Sequence, residues 1–95
     1  MHVYEVLKRP IVTEKTMDMT TFDNQYVFEV DMRANKIQIQ DAIETVFDVG
    51  IEKIRVMIMP AKTIRRGSRV WIRKPKWKKA VITLMPGESI QVYDI

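Results

Sequence analysis

YVFEVDMRANKIQIQDAIETVFDVGIEKIRVMIM, residues 26–59, decides the fold, because the spacing of its apolar residues changes twice. From Tyr26 to Asp31 the side chains alternate, with Tyr26, Phe28 and Val30 on one side and Val27, Glu29 and Asp31 on the other. That is the period of a half-buried strand, its aromatic side toward a core. From Asn35 the apolar residues Ile39, Ala42, Ile43, Val46 and Phe47 recur at spacings of three and four, which predicts an amphipathic helix. Asn35 and Gln38 have the spacing of a capping box, and Gly50 stands where a helix end often takes a left-handed residue. Ile51 to Met59 alternates again, Ile54, Val56 and Ile58 against Lys53, Arg55 and Met57, until Pro60 ends the ladder.

On the N-terminal side, Thr13 is placed to cap a short helix from Glu14 toward Thr21, and Asp23-Asn24 supplies a turn before the Tyr26–Asp31 strand. Val3 to Leu7 reads as a further strand ended by Pro10, Lys79 to Met85 as a third main strand closed by Pro86-Gly87, and Ile90 to Tyr93 as a short terminal one. The expected fold is α+β: one domain over residues 1–95, with a small, mostly antiparallel sheet of three to four strands covered by helices, ferredoxin-like in style. A long basic loop, residues 61–78, joins the last two main strands as an extended arm. Loops of that length are commonly functional.

The net charge of +4 conceals a strong asymmetry along the chain. Residues 1–61 hold 7 basic and 10 acidic residues, residues 62–79 hold 9 basic and none acidic, and residues 80–95 hold 2 acidic and none basic. Nine cations without a compensating acid repel one another, so a polyanionic partner must supply the negative charge. The candidate contacts are Lys62, Arg65, Arg66, Arg69, Arg73, Lys74, Lys76, Lys78 and Lys79, with Gly67 for close backbone approach and Trp71 for stacking on a base. Trp77, at the entrance to the last strand, is read as an anchor against the core edge, and Met17, Met19, Met57, Met59 and Met85 as core and edge fillers.

Other function classes lack their chemistry. The chain has no cysteine and one histidine, His2, and no glycine-rich phosphate loop, so no catalytic constellation, metal site or cofactor is expected. No apolar run approaches the length that spans a bilayer, and a cytosolic protein is expected. A free-standing nucleic-acid-binding module that stacks bases on an open sheet is the alternative, but the glycine-aromatic pattern of such a sheet is missing and Tyr26 and Phe28 read as core. A small phosphate-ester or acyl-phosphate hydrolase on a similar fold lacks a readable anion loop.

Three runs, LKRPIVTEKT, YVFEVDMRANKIQIQDAIETVFDV and IRRGSRVWIRKPKWKKAVITLMPGESI, resemble the large-subunit ribosomal protein twenty-three family in the expected order. The carrying motifs are RPxxTEK, ANKxxI, a KxxRxGxR-like arm and WKKAxxTL. The resemblance implies a structural ribosomal protein whose basic loop is inserted in ribosomal RNA beside the exit of the polypeptide tunnel, among neighbouring large-subunit proteins. It also implies a docking surface for trigger factor and for targeting or translocation machinery that includes Glu14, the glutamate of the TEK motif. Arg9, Lys15 and Lys36, in the RP, TEK and ANK motifs, become second-tier RNA contacts, in a cytoplasmic or an organelle ribosome. Val70-Trp71-Ile72 stands where members commonly carry a second glycine, so the tip of this arm is expected to thread through RNA differently.

Overall fold

The structure, a computed structural model, describes residues 3–90. A helical turn α1 (Val3–Val6) leads into strand β1 (Leu7–Pro10), helix α2 (Glu14–Asp23), strand β2 (Gln25–Val30), helix α3 (Lys36–Phe47) and strand β3 (Ile51–Met59). Strands β4 (Lys62–Arg66) and β5 (Arg69–Lys74) precede the last strand, β6 (Trp77–Leu84). The main sheet runs β1-β2-β6-β3 with every neighbouring pair antiparallel, an α+β fold. The β4–β5 pair is a separate two-stranded sheet.

The two helices begin where their caps predict. Asn35 Oδ1 accepts from the Gln38 N–H at 2.8 Å while the Asn35 N–H donates to Gln38 Oε1 at 3.0 Å, so two otherwise orphaned donors at the start of α3 are satisfied reciprocally. Thr13 and Thr16 form the same device at the start of α2. The end of α3 differs from the expectation. Asp48, not Gly50, takes the left-handed conformation (φ 53°), with its N–H bonded to the Glu44 carbonyl. Gly50 instead permits close approach, since a Cβ there would lie 3.1 Å from Met85 Cγ.

α3 lays Ile39, Ala42 and Ile43, all fully buried, against Phe28, Val30, Ile82 and Leu84 of the sheet. Phe47 packs its ring 5.7 Å from that of Phe28, whereas Val46 lies at the edge of the stripe and is 40% exposed. Tyr26, Phe28 and Val30 point into the core as their alternation predicts. Val27 is buried as well, opposite Val81 on the other face. Its carbonyl accepts from the Ile11 N–H at 2.8 Å, which brings the chain leading to α2 against β2.

The strand expected over Val3–Leu7 is displaced. Residues 3–6 form a helical turn that buries Val6, and pairing starts at Leu7, which faces Val30. Val6 and Leu7 fit either period, and burial of Val6 in the core selects the helical one. Pro10 ends the ladder at the sheet edge, where a missing N–H is tolerated. Of the strand expected over 90–93, residues 91–93 lie outside the described residues, and Ile90 is not in a strand.

Ile90 is instead pinned by a side chain, its buried N–H donating to the Tyr26 hydroxyl at 3.2 Å. Tyr26→Phe leaves that N–H without its acceptor and is expected to destabilise the fold by about 1–3 kcal/mol in urea unfolding. After β2, the Asp31 carboxylate accepts from the Arg33 guanidinium at 3.1 Å and from the Arg33 N–H at 2.8 Å. These bonds, the side-chain one first, hold its pKa at about 2 against the usual 3.8. Because the folded value is the lower one, the stabilisation is present above pH 3.8 and is lost as the pH falls through about 2. Arg33→Ala should move the Asp31 titration midpoint, read by NMR, back toward 3.8.

Candidate nucleic-acid interface

The basic segment is not a loop but a β-hairpin. Gly67 and Ser68 form its two-residue turn, and a positive φ of 63° at Gly67, with none at Ser68, matches a type II′ turn. The ladder pairs Lys62 with Lys74, Thr63 with Ile72, Ile64 with Trp71, Arg65 with Val70 and Arg66 with Arg69. Prolines divide this ribbon from the main sheet. Met59–Trp77 is the last pair of the main ladder, and Pro60 and Pro75, which cannot donate, lie between it and Lys62–Lys74. The radius of gyration is 15.1 Å, above the roughly 13 Å of a compact chain of about 100 residues, as a projecting arm requires.

Lys62, Arg65, Arg66, Gly67, Arg69, Trp71, Lys74 and Lys76 are exposed on this ribbon and its root, and Arg73 lies on β5. Directly opposed residues of a ladder share a face, so like charges meet at both ends: Lys62 beside Lys74 at the root and Arg66 beside Arg69 at the tip. Between them Trp71, 48% exposed, lies across from Ile64. The ion pairs Arg9–Glu29 and Arg33–Asp31, each at 3.1 Å, lie on the body. The ribbon contains no acid of its own.

Lys78 and Lys79 sit elsewhere, because β6 starts at Trp77 and carries both into the main sheet, half-buried. The Lys78 ammonium donates to the Ala34 carbonyl on the core side. Lys79 is on the opposite face, between Glu29 of β2 and Met57 of β3. That face also carries exposed Lys53 and Arg55 of β3, cations that the charge count left in the acidic body. Their period-two spacing with Met57 was the available signal. Arg9 lies on β1, Lys15 on α2 and Lys36 at the start of α3, all exposed and on three different elements. Glu14, exposed in the first turn of α2, stands next to the Thr13 cap, where a negative charge stabilises a helix by about 0.3–1 kcal/mol.

Among the described residues no group of three or more His, Cys, Asp or Glu is placed to hold a metal ion, and no helix is long and apolar enough to cross a membrane. The fold and the ribbon together define a class, a small α+β domain with a cationic β-hairpin projecting beyond its antiparallel sheet. Within it, the chain belongs to the ribosomal protein L23 family, whose model matches residues 5–92. It is 44% identical over 94 residues to the large ribosomal subunit protein uL23 of Desulfatibacillum aliphaticivorans, covering 99% of this chain and 98% of that protein. It is 45% identical over 92 residues to the uL23 protein of Mycoplasma capricolum, covering 97% of this chain and 96% of that one. With the uL23 protein of Geobacter metallireducens the identity is 37% over 95 residues and the whole of both chains.

Proposed function

We propose that this protein is a structural, non-catalytic constituent of the large ribosomal subunit that binds ribosomal RNA directly through the β4–β5 hairpin. The observation that carries the reading is the pair of like-charge residues in cross-strand register, Lys62 opposite Lys74 and Arg66 opposite Arg69, on an exposed ribbon without an acid. Like charges directly opposite destabilise a ladder, and a lone two-stranded ribbon is marginal in water, so this element is best satisfied between phosphates. Arg9, Lys15 and Lys36 are further contacts from the body. The family membership supports ribosomal RNA as the polyanion, neighbouring large-subunit proteins as partners, and the ribosome, in the cytoplasm or an organelle, as the location.

The same reading places the body beside the polypeptide exit tunnel, with Glu14 on a surface where trigger factor and targeting or translocation machinery dock. It is supported by α2, which buries none of its residues and exposes Met17 one turn after Glu14, with Val12 exposed just ahead of its cap. Sedimentation of a tagged copy from cell lysate tests the main reading: it should travel with the large subunit at low and moderate salt. A salt-independent monomer at the top of the gradient defeats it. Trp71→Ala should weaken binding to the cognate RNA fragment by roughly 5- to 150-fold, the range for loss of one base stack, and unchanged affinity in a filter-binding titration removes Trp71 from the interface.

A further inference from the structure

At the root of the hairpin a groove of about 450 Å³ opens between the sheet edge and the start of β6, lined by Arg9, Ile11, Glu29, Lys74, Lys76 and Trp77 among others. With Lys8, four cations and one carboxylate border it, the carboxylate, Glu29, being paired with Arg9 at 3.1 Å; Lys78 also lines the groove, but its ammonium is engaged by the Ala34 carbonyl. Trp77 is half-buried and held by its strand, its backbone registered against Met59, so its ring is presented by a rigid element. Lys74 and Lys76 are exposed on either side of Pro75. The volume lies within the roughly 300–1,000 Å³ of small-molecule sites. A flat apolar ring ringed by cations matches a ligand that is aromatic at one end and anionic at the other.

We propose that this groove binds one unstacked ribonucleotide of an RNA chain, its base on the Trp77 indole and its phosphate among Lys74, Lys76 and Arg9. The proposal rests on the RNA-binding reading above and deepens it by naming a site at the ribbon's root, where Lys74 of β5 meets Arg9 and Trp77 of the body. Helical RNA keeps its bases stacked and inaccessible, so the groove selects a bulged or single-stranded nucleotide. An acidic peptide would satisfy the lysines but leave the indole unused. Trp77 thus acts as a stacking platform as well as an anchor at the edge of the core.

The test uses the full chain carrying Trp71→Phe, which makes Trp77 the sole indole of the two tryptophans. Titration with a short oligoadenylate should quench Trp77 emission saturably, a fully paired RNA duplex should not, and adenosine monophosphate should do so only at much higher concentration. In the wild-type background, Trp77→Ala should weaken oligoadenylate binding roughly 5- to 150-fold, with Trp77→Phe restoring most of it. Because Trp77→Ala also touches the sheet, the exposed rim pair Lys74→Gln/Lys76→Gln provides a second measure and should abolish the quench while leaving the melting temperature unchanged.

Oligoadenylate binding at full affinity, with Trp77 emission and the Trp77→Ala and rim variants all unaffected, overturns the groove and leaves the hairpin reading standing. Equal affinity for the free monophosphate overturns the assignment to an RNA chain. Quenching by oligoglutamate and not by RNA overturns it in favour of an acidic peptide. Failure of the wild-type chain to bind any RNA overturns the general reading and this one together.

Discussion

Reversing both tip arginines, Arg66→Glu with Arg69→Glu, is expected to weaken binding to a ribosomal RNA fragment by at least about a hundredfold at low salt. Each arginine that meets a phosphate makes a charge-assisted hydrogen bond worth about 1.5–3 kcal/mol, and reversal adds repulsion to the loss. The two residues face each other across the last pair of the ladder, next to the Gly67 turn, so they present one doubled charge. The plot of log K against log salt should flatten by about two units of slope, one for each phosphate contact removed. The fold should not notice. The ribbon shares no ladder with the main sheet, and both side chains are exposed, so the melting temperature of the body should stay within a degree or two of wild type. An unchanged salt slope, measured from low to physiological salt, removes the tip from the phosphate-contact set.

The largest effect on stability is expected from Phe28→Ala. Phe28 is 1% exposed at the centre of the sheet, opposite Ala80 on β6 and in ring contact with Phe47 at 5.7 Å. Truncation removes the transfer free energy of a phenyl ring and leaves a cavity that α3 and the sheet close only in part, a cost of about 3–5 kcal/mol. Domains as a class are stable by only about 5–15 kcal/mol, so this single change consumes a large share of the total. Urea unfolding should show the midpoint falling steeply with an unchanged slope. A loss under about 1 kcal/mol would mean that Phe28 does not join the helix layer to the sheet.

What was legible beforehand follows from the range of each interaction. The Asn35–Gln38 capping box spans three residues and is satisfied by its own segment, so the start of α3 was readable. The end was not, because Asp48 and Gly50 both accept special geometry, and the close approach of Met85 reserves Gly50 for packing. Val3–Leu7 failed because its few residues fit two periods and only burial of Val6 separates them. The hairpin had a local signal that went unused: Gly67-Ser68 is a two-residue turn of the kind that joins paired strands, flanked by Thr63-Ile64 and Val70-Trp71-Ile72. Counting charge alone turned it into a loop. The same count assigned Lys78 and Lys79 to the arm, although the strand they open carries one to each face of the sheet.

By itself the sequence determined the elements whose pattern is short-range, the concentration of cations in one segment, and membership of a ribosomal protein family through motifs spread over the whole chain. Only the tertiary structure decided the strand order β1-β2-β6-β3, the division of the arm from the sheet at Pro60 and Pro75, and the groove where Arg9, some 68 residues before Trp77 in the chain, comes to line the same site. The physical reason is that charge, capping and periodicity are properties of neighbours along the chain. Strand order, face and groove are set by which distant apolar residues can be buried together, and that balance is struck only when the whole sheet closes over α3.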